Sequence, residues 1–137
     1  MYPYFKKVVL MKLQNLFKIN FYIAILIGLF CVLLPGWLIH LYGLDPDIGK
    51  IWVTRLVGGS ILGFASLMWF GSRNESLKAR RAIALALIIQ DSIGLAASLE
   101  IQLRGAINFL GWPLNVGLYG VLALGYAYFY FLKPENC

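Results

Sequence analysis

Asp91 is the residue of this 137-residue sequence whose position says most about chemistry. It stands ten residues past Arg81 in an otherwise apolar stretch, which on helical rise is about 15 Å, close to the midplane of a bilayer. An ionisable group left on lipid at that depth costs at least about 2.5–3.5 kcal/mol. Asp91 must therefore face protein, water or a ligand, or stay protonated. At about 100° per residue, Leu87, Asp91, Gly94, Ser98 and Gln102 fall on one small-and-polar stripe. On it, Asp91 and Ser98 read as candidates for a proton or ligand site. The competing reading is a neutral acid that joins two helices by a hydrogen bond.

Other polar residues narrow the chemistry. Asn115, Tyr119, Tyr126 and Tyr130 project within about 60° of one another, and a tyrosine within a span needs a partner for its hydroxyl. Tyr119 or Tyr126 is placed to donate to Asp91. Glu100 cannot pair with Asp91, because nine residues turn it by about 180° and lift it by about 13 Å, so paired-carboxylate catalysis is excluded. Glu100 instead has two candidate ion-pair partners, Arg55 on the preceding span and Arg104 one helical turn further on. His40 is a single histidine. It cannot supply both axial ligands of a bis-histidine haem, and no Cys/His spacing resembles a zinc site. Flanked by Trp37 and Tyr42, it is a candidate ligand for the magnesium of a chlorophyll-type pigment or for a metal. Cys31 and Cys137 would lie at different membrane depths, which rules out a disulfide between them. No nucleophile–base pair or metal constellation appears, so an enzyme is not expected.

The elements that must position these groups follow from hydropathy. Hydrophobic residues make up 61% of the chain and charged ones 13%, against about 45–50% and about 25% in soluble domains. The spans read as Phe21–Leu41, Ile51–Phe70, Ala82–Leu103 and Trp112–Leu132, each near the 20 or so residues that cross a bilayer. Short polar links make neighbours antiparallel. The expected fold is all-α, a single polytopic domain over 1–137 built as a four-transmembrane-helix up-down bundle. Ahead of it, residues 1–20 place Phe5, Val9, Leu13, Leu16 and Phe17 opposite Lys7, Gln14, Asn15 and Lys18, the pattern of a short amphipathic interfacial helix. Gly59 and Gly63, spaced as in a GxxxG motif, and Gly94 are the expected close-packing positions, within the chain or in a homo-oligomer.

Lys6, Lys7, Lys12, Lys18, Arg73, Lys78, Arg80, Arg81 and Lys133 fall on one side of these spans, and Lys50, Arg55 and Arg104 on the other. That nine-to-three split predicts a multi-pass protein of the cell inner membrane with both termini cytoplasmic. The net charge of +6 is then a topology signal and a contact for anionic lipid, and is not read as nucleic-acid binding.

The stretches RLVGGSILGFASLMWF, from Arg55 to Phe70, and GWPLNVGLYGVLALGYAYF, from Gly111, give the chain a resemblance to small bacterial four-span membrane proteins of unknown function. The resemblance implies no activity. The chain departs from the small multidrug exporters, which need a glutamate in the first span, and it lacks the CxxC of membrane quinone-reducing thiol enzymes. Packing faces and boundary aromatics (Trp37, Trp52, Trp69 and Trp112) favour a structural or accessory subunit of a larger membrane complex, in contact with other subunits and lipid. The alternative is a small proton-coupled transporter or channel that uses Asp91.

Overall fold

The computed structural model describes residues 13–132, and these form helices and turns with no strand. The helices are α1 (Leu13–Leu33), α2 (Pro35–Leu41), α3 (Ile48–Arg73), α4 (Leu77–Leu103) and α5 (Trp112–Leu132). All but α2 are long and apolar enough to cross a membrane, which suggests a membrane protein.

Local chemistry sets the boundaries. Asp47 caps α3 by accepting from the Lys50 backbone N–H at 2.9 Å, and Ser76 caps α4 through Ala79. These caps lie outside the apolar runs, so both helices extend beyond the expected Ile51–Phe70 and Ala82–Leu103. The first expected span, Phe21–Leu41, is corrected in two ways. Its helix already begins by Leu13, and it breaks at Leu34, whose φ/ψ of −127°/48° is non-helical. Pro35 is the cause, since its ring disfavours the α conformation in the residue before it. Residues 13–20, assigned to an interfacial segment, run straight into α1. The remainder of that segment, Phe5, Lys7 and Val9 included, lies outside the described residues. Helix α5 opens with a π-helical turn over Trp112–Gly117, becomes α-helical over Leu118–Ala127 and ends in a second π-helical turn, Tyr128–Leu132.

Packing is uneven along the helices. One core gathers Leu13, Leu16, Phe17 and Ala24 of α1, Ala65 and Met68 of α3, Ala84 and Leu87 of α4, and Leu122, Tyr126 and Phe129 of α5. These come from the first part of α1 and α4 and the last part of α3 and α5. In the same region the Arg73 guanidinium lies 3.8 Å over the Trp69 ring and that of Arg81 4.9 Å over Tyr130.

Away from this core, two glycine contacts join helices in pairs. A Cβ on Gly58 of α3 would stand 2.7 Å from Cys31 Cβ and 3.0 Å from the Gly28 carbonyl, so α1 and α3 touch backbone to backbone. A Cβ on Gly94 of α4 would stand 2.7 Å from the Tyr119 ring of α5. Gly94 thus packs closely, as expected, whereas a Cβ on Gly59 or Gly63 would meet nothing within 4 Å. Within the chain the packed glycine is Gly58, because consecutive helical residues point about 100° apart and Gly58 takes the face turned to α1.

The turns at the far end are tied together. Asn108 donates from its backbone N–H to the Tyr42 carbonyl at 3.0 Å and from Nδ2 to the Leu41 carbonyl at 2.7 Å. Gly43 and Gly105, at φ of 79° and 66°, supply the left-handed backbone these turns require.

Candidate functional site

Asp91 is 4% exposed although it sits midway along α4, and Leu87, Ser98 and Gln102 of the same stripe are buried with it. Its Oδ2 is fully enclosed and has no hydrogen-bond partner among the described residues. The carboxyl lines a cavity of about 70 Å³ together with Asn20 of α1, Gln90 of α4, and Asn115 and Tyr119 of α5, the remaining wall being apolar. That volume has room for several water-sized groups at about 10–15 Å³ each.

The polar atoms around the cavity are unequally satisfied. Asn20 Nδ2 donates to the Tyr126 hydroxyl at 2.8 Å, and the Tyr42 hydroxyl donates to Asn115 Oδ1 at 2.8 Å. Gln90 Oε1, like Asp91 Oδ2, is enclosed without a partner among the described residues. Both are acceptors. No Lys, Arg or His lines the cavity, so no basic side chain there offsets a charge on Asp91. At the end of α2, burial holds the Tyr42 phenol above its usual range, with its bond to Asn115 pulling the other way.

The cavity opens beside a larger groove of about 650 Å³, whose walls come from α1, α2, α3 and the first turns of α5, with Ser98 from α4. Ile61, Asn115, Leu118 and Tyr119 line both spaces. The groove is mainly apolar, with Leu26, Phe30, Trp37, Val53 and Val57 along it, and Thr54 and Ser98 add hydroxyls. Its shape follows from sequence features already described. The Leu34–Pro35 break ends α1 before Trp37 and Leu38, and the π-helical turn over Trp112–Gly117 precedes the cavity-lining Leu118 and Tyr119. Single π-helical turns are frequent at functional sites, because they re-aim neighbouring side chains.

The other candidates divide. Tyr119 reaches the cavity wall, but neither it nor Tyr126 hydrogen-bonds to Asp91; Tyr126 instead serves Asn20. Ser98 lines the groove and not the carboxyl cavity. Of the two partners considered for Glu100, Arg104 is taken, with Nη2 2.8 Å and Nε 3.0 Å from Oε1. The Arg55–Glu100 pair does not form, because a partner one turn away on the same helix orders fewer groups than one on another helix. Arg55 is exposed and makes no ion pair among the described residues. His40 is exposed at the end of α2, and the described residues hold no group of three or more His, Cys, Asp or Glu suited to a metal. Cys137 lies outside the described residues, and Cys31 is a buried free thiol against Gly58. Sequence reasoning missed Asn20 and Gln90. Gln90 is an uncharged polar residue inside an apolar run, the signal that could have found it, whereas Asn20 stands just ahead of the expected first span, beside Lys18, where a polar residue draws no notice.

No curated protein and no solved structure matches the chain. A family model matches residues 2–103, through the last residue of α4 and short of Asn115 and Tyr119 on α5. By that match over most of its length, the chain belongs to the family described as a domain of unknown function, DUF8292.

Proposed function

We propose that this chain is a small proton-coupled transporter of the cell inner membrane, with Asp91 as its proton-carrying group. Four spans in up-down order, both termini cytoplasmic, agree with the nine-to-three distribution of Lys and Arg. The observation that carries the reading is the Asp91 carboxyl: buried, unpartnered at Oδ2 among the described residues, and lining a cavity between helices with Asn20, Gln90, Asn115 and Tyr119. Helix-joining glue would need a hydrogen-bond partner at that oxygen, and the described residues supply none there. A carboxyl that alternates between protonated and ionised forms needs the vacant lone pair and the nearby polar groups.

The test is proton flux into vesicles reconstituted with the full chain and loaded with a pH-sensitive dye, paired with an unfolding measurement. Asp91→Asn should lower the flux at least tenfold while leaving the unfolding midpoint unchanged or raised, since an ionisable group at mid-span is a cost. Normal flux in the variant overturns the reading. Unfolding made easier by more than about 1 kcal/mol returns Asp91 to the role of glue.

One observation favours a second reading, an accessory subunit of a membrane complex or a homo-oligomer. Gly59 and Gly63 leave an open, small-residue strip on the exposed side of α3, with the exposed Arg55 one turn before it. Copurification in mild detergent tests it, with Gly63→Leu expected to release a partner held there and a chain purified alone counting against it.

A further inference from the structure

The groove and the carboxyl cavity share a wall, and together they define the chemistry of an occupant. The polar end has two enclosed acceptors without partners among the described residues, Asp91 Oδ2 and Gln90 Oε1; the donors of Asn20 and Tyr42 are engaged with Tyr126 and Asn115, while the Tyr119 hydroxyl and the Asn115 and Gln90 amides also belong to its wall. A group that satisfies both acceptors must donate hydrogen bonds to them. No Lys, Arg or His lines either space, so the countercharge for an ionised Asp91 has to arrive with the occupant. The adjoining body of the site is an apolar groove of about 650 Å³, inside the range of about 300–1,000 Å³ typical of small-molecule sites. Its aromatic edge, Phe30 and Trp37, is stacked with ring centroids 5.9 Å apart, and both rings line the groove.

We propose that this site takes a lipophilic amine, its ammonium group donating to Asp91 and Gln90 and its apolar body lying along Phe30, Trp37, Val53 and Val57. This deepens the transporter reading by naming a substrate class, and it rests on Asp91 as the working group. The match is one of charge and hydrogen-bond sense. A neutral lipid tail fills the groove equally well but leaves both acceptors unmet, which costs about 1–3 kcal/mol for each buried group. An anionic amphiphile sets like charge against Asp91. A lipophilic amine replaces the proton on Asp91 as its positive partner, so that proton and amine exclude each other at one carboxyl.

The experiment measures binding, so that it stands apart from the flux test. The full-length chain in lipid nanodiscs is titrated with 4-(4-fluorophenyl)butylamine, followed by its fluorine NMR signal against protein-free nanodiscs, and with the alcohol that carries a hydroxyl in place of the amine. Saturable amine binding is expected, at least tenfold tighter than the alcohol and weakened at least tenfold by Asp91→Asn. Should Asp91→Asn fail to fold, Val57→Trp, which fills the groove and keeps the carboxyl, is expected to weaken amine binding to a similar degree. Equal binding of amine and alcohol, or amine binding untouched by either variant, overturns the proposal and leaves the groove to lipid tails. Proton flux without amine binding also overturns it while sparing the transporter. Amine binding through Asp91 with no proton flux supports it and removes the transporter.

Discussion

The two ends of this helix assembly are built differently. At one end Leu13, Phe17, Leu87 and Tyr126 are almost wholly buried in a core to which α1, α3, α4 and α5 all contribute. At the other, α1 and α3 meet through Gly28 and Gly58, α4 and α5 meet through Gly94 and Tyr119, and a groove runs between the pairs beneath turns tied by Tyr42 and Asn108. Lipid tails are as apolar as leucine, so no hydrophobic force closes such a gap in a membrane; only packing and hydrogen bonds do. Large interlocking side chains close the first end. At the second, small residues draw the helices together in twos, Tyr42 and Asn115 bond to each other, and Asp91 Oδ2 and Gln90 Oε1 are left without partners among the described residues.

Truncating the packed end should have the largest effect. Tyr126→Ala removes a fully buried ring that packs on Phe17 with centroids 5.7 Å apart and leaves Asn20 Nδ2 without an acceptor. A loss of about 3–5 kcal/mol is expected in a reversible unfolding titration in mixed micelles. A loss under about 1 kcal/mol would mean that this end does not hold the helices together. The glycine pairs come next. Gly58→Leu drives a side chain into Cys31 and the Gly28 carbonyl and should cost about 1–3 kcal/mol. Gly59→Leu, one residue on, meets open space and should fall within about 0.5 kcal/mol of the parent. Equal costs at the two positions would place a partner on the open face of α3.

The tie across the grooved end is weaker. Tyr42→Phe deletes one hydrogen bond to Asn115 and should cost about 1 kcal/mol by the same titration. Because burial raises the Tyr42 pKa, its contribution is complete below tyrosine's ordinary value near about 10 and disappears as pH climbs through the raised one. A groove that opens in Tyr42→Phe would show as faster amide exchange at Asn108. The smallest effect belongs to the exposed cap of α3. Lys50 holds the Asp47 carboxylate below its usual range, first through its side chain, so the cap persists beneath the ordinary carboxylate pKa and is lost as pH falls through the depressed value. Amide exchange at Lys50 should accelerate only there. Acceleration already near the ordinary value would show that the cap is not formed.

Much of this arrangement was legible in the residues. Four apolar runs located four long helices, and the Leu87–Gln102 stripe located the buried face of α4, because a 3.6-residue period and the cost of polar groups on lipid act within one segment. Legibility failed where two segments compete for one partner or one face. Glu100 had two arginines within reach of a sequence argument, and the local one holds it. Gly58 and Gly59 are indistinguishable by composition, and only the position of α1 separates the packed residue from the exposed one.

By itself, then, the sequence determined the helical segments, the mid-span acid and the small residues that let helices approach, all of them consequences of local period and transfer cost. Tertiary structure alone decided that Asn20 and Tyr126 satisfy each other, that Tyr42 takes Asn115, and that Asp91 Oδ2 and Gln90 Oε1 remain without partners among the described residues, beside an apolar groove. The physical reason is that hydrogen-bond satisfaction is a census over all neighbours at once. A single segment carries its donors and acceptors, while the helices packed against it decide which of them are already used.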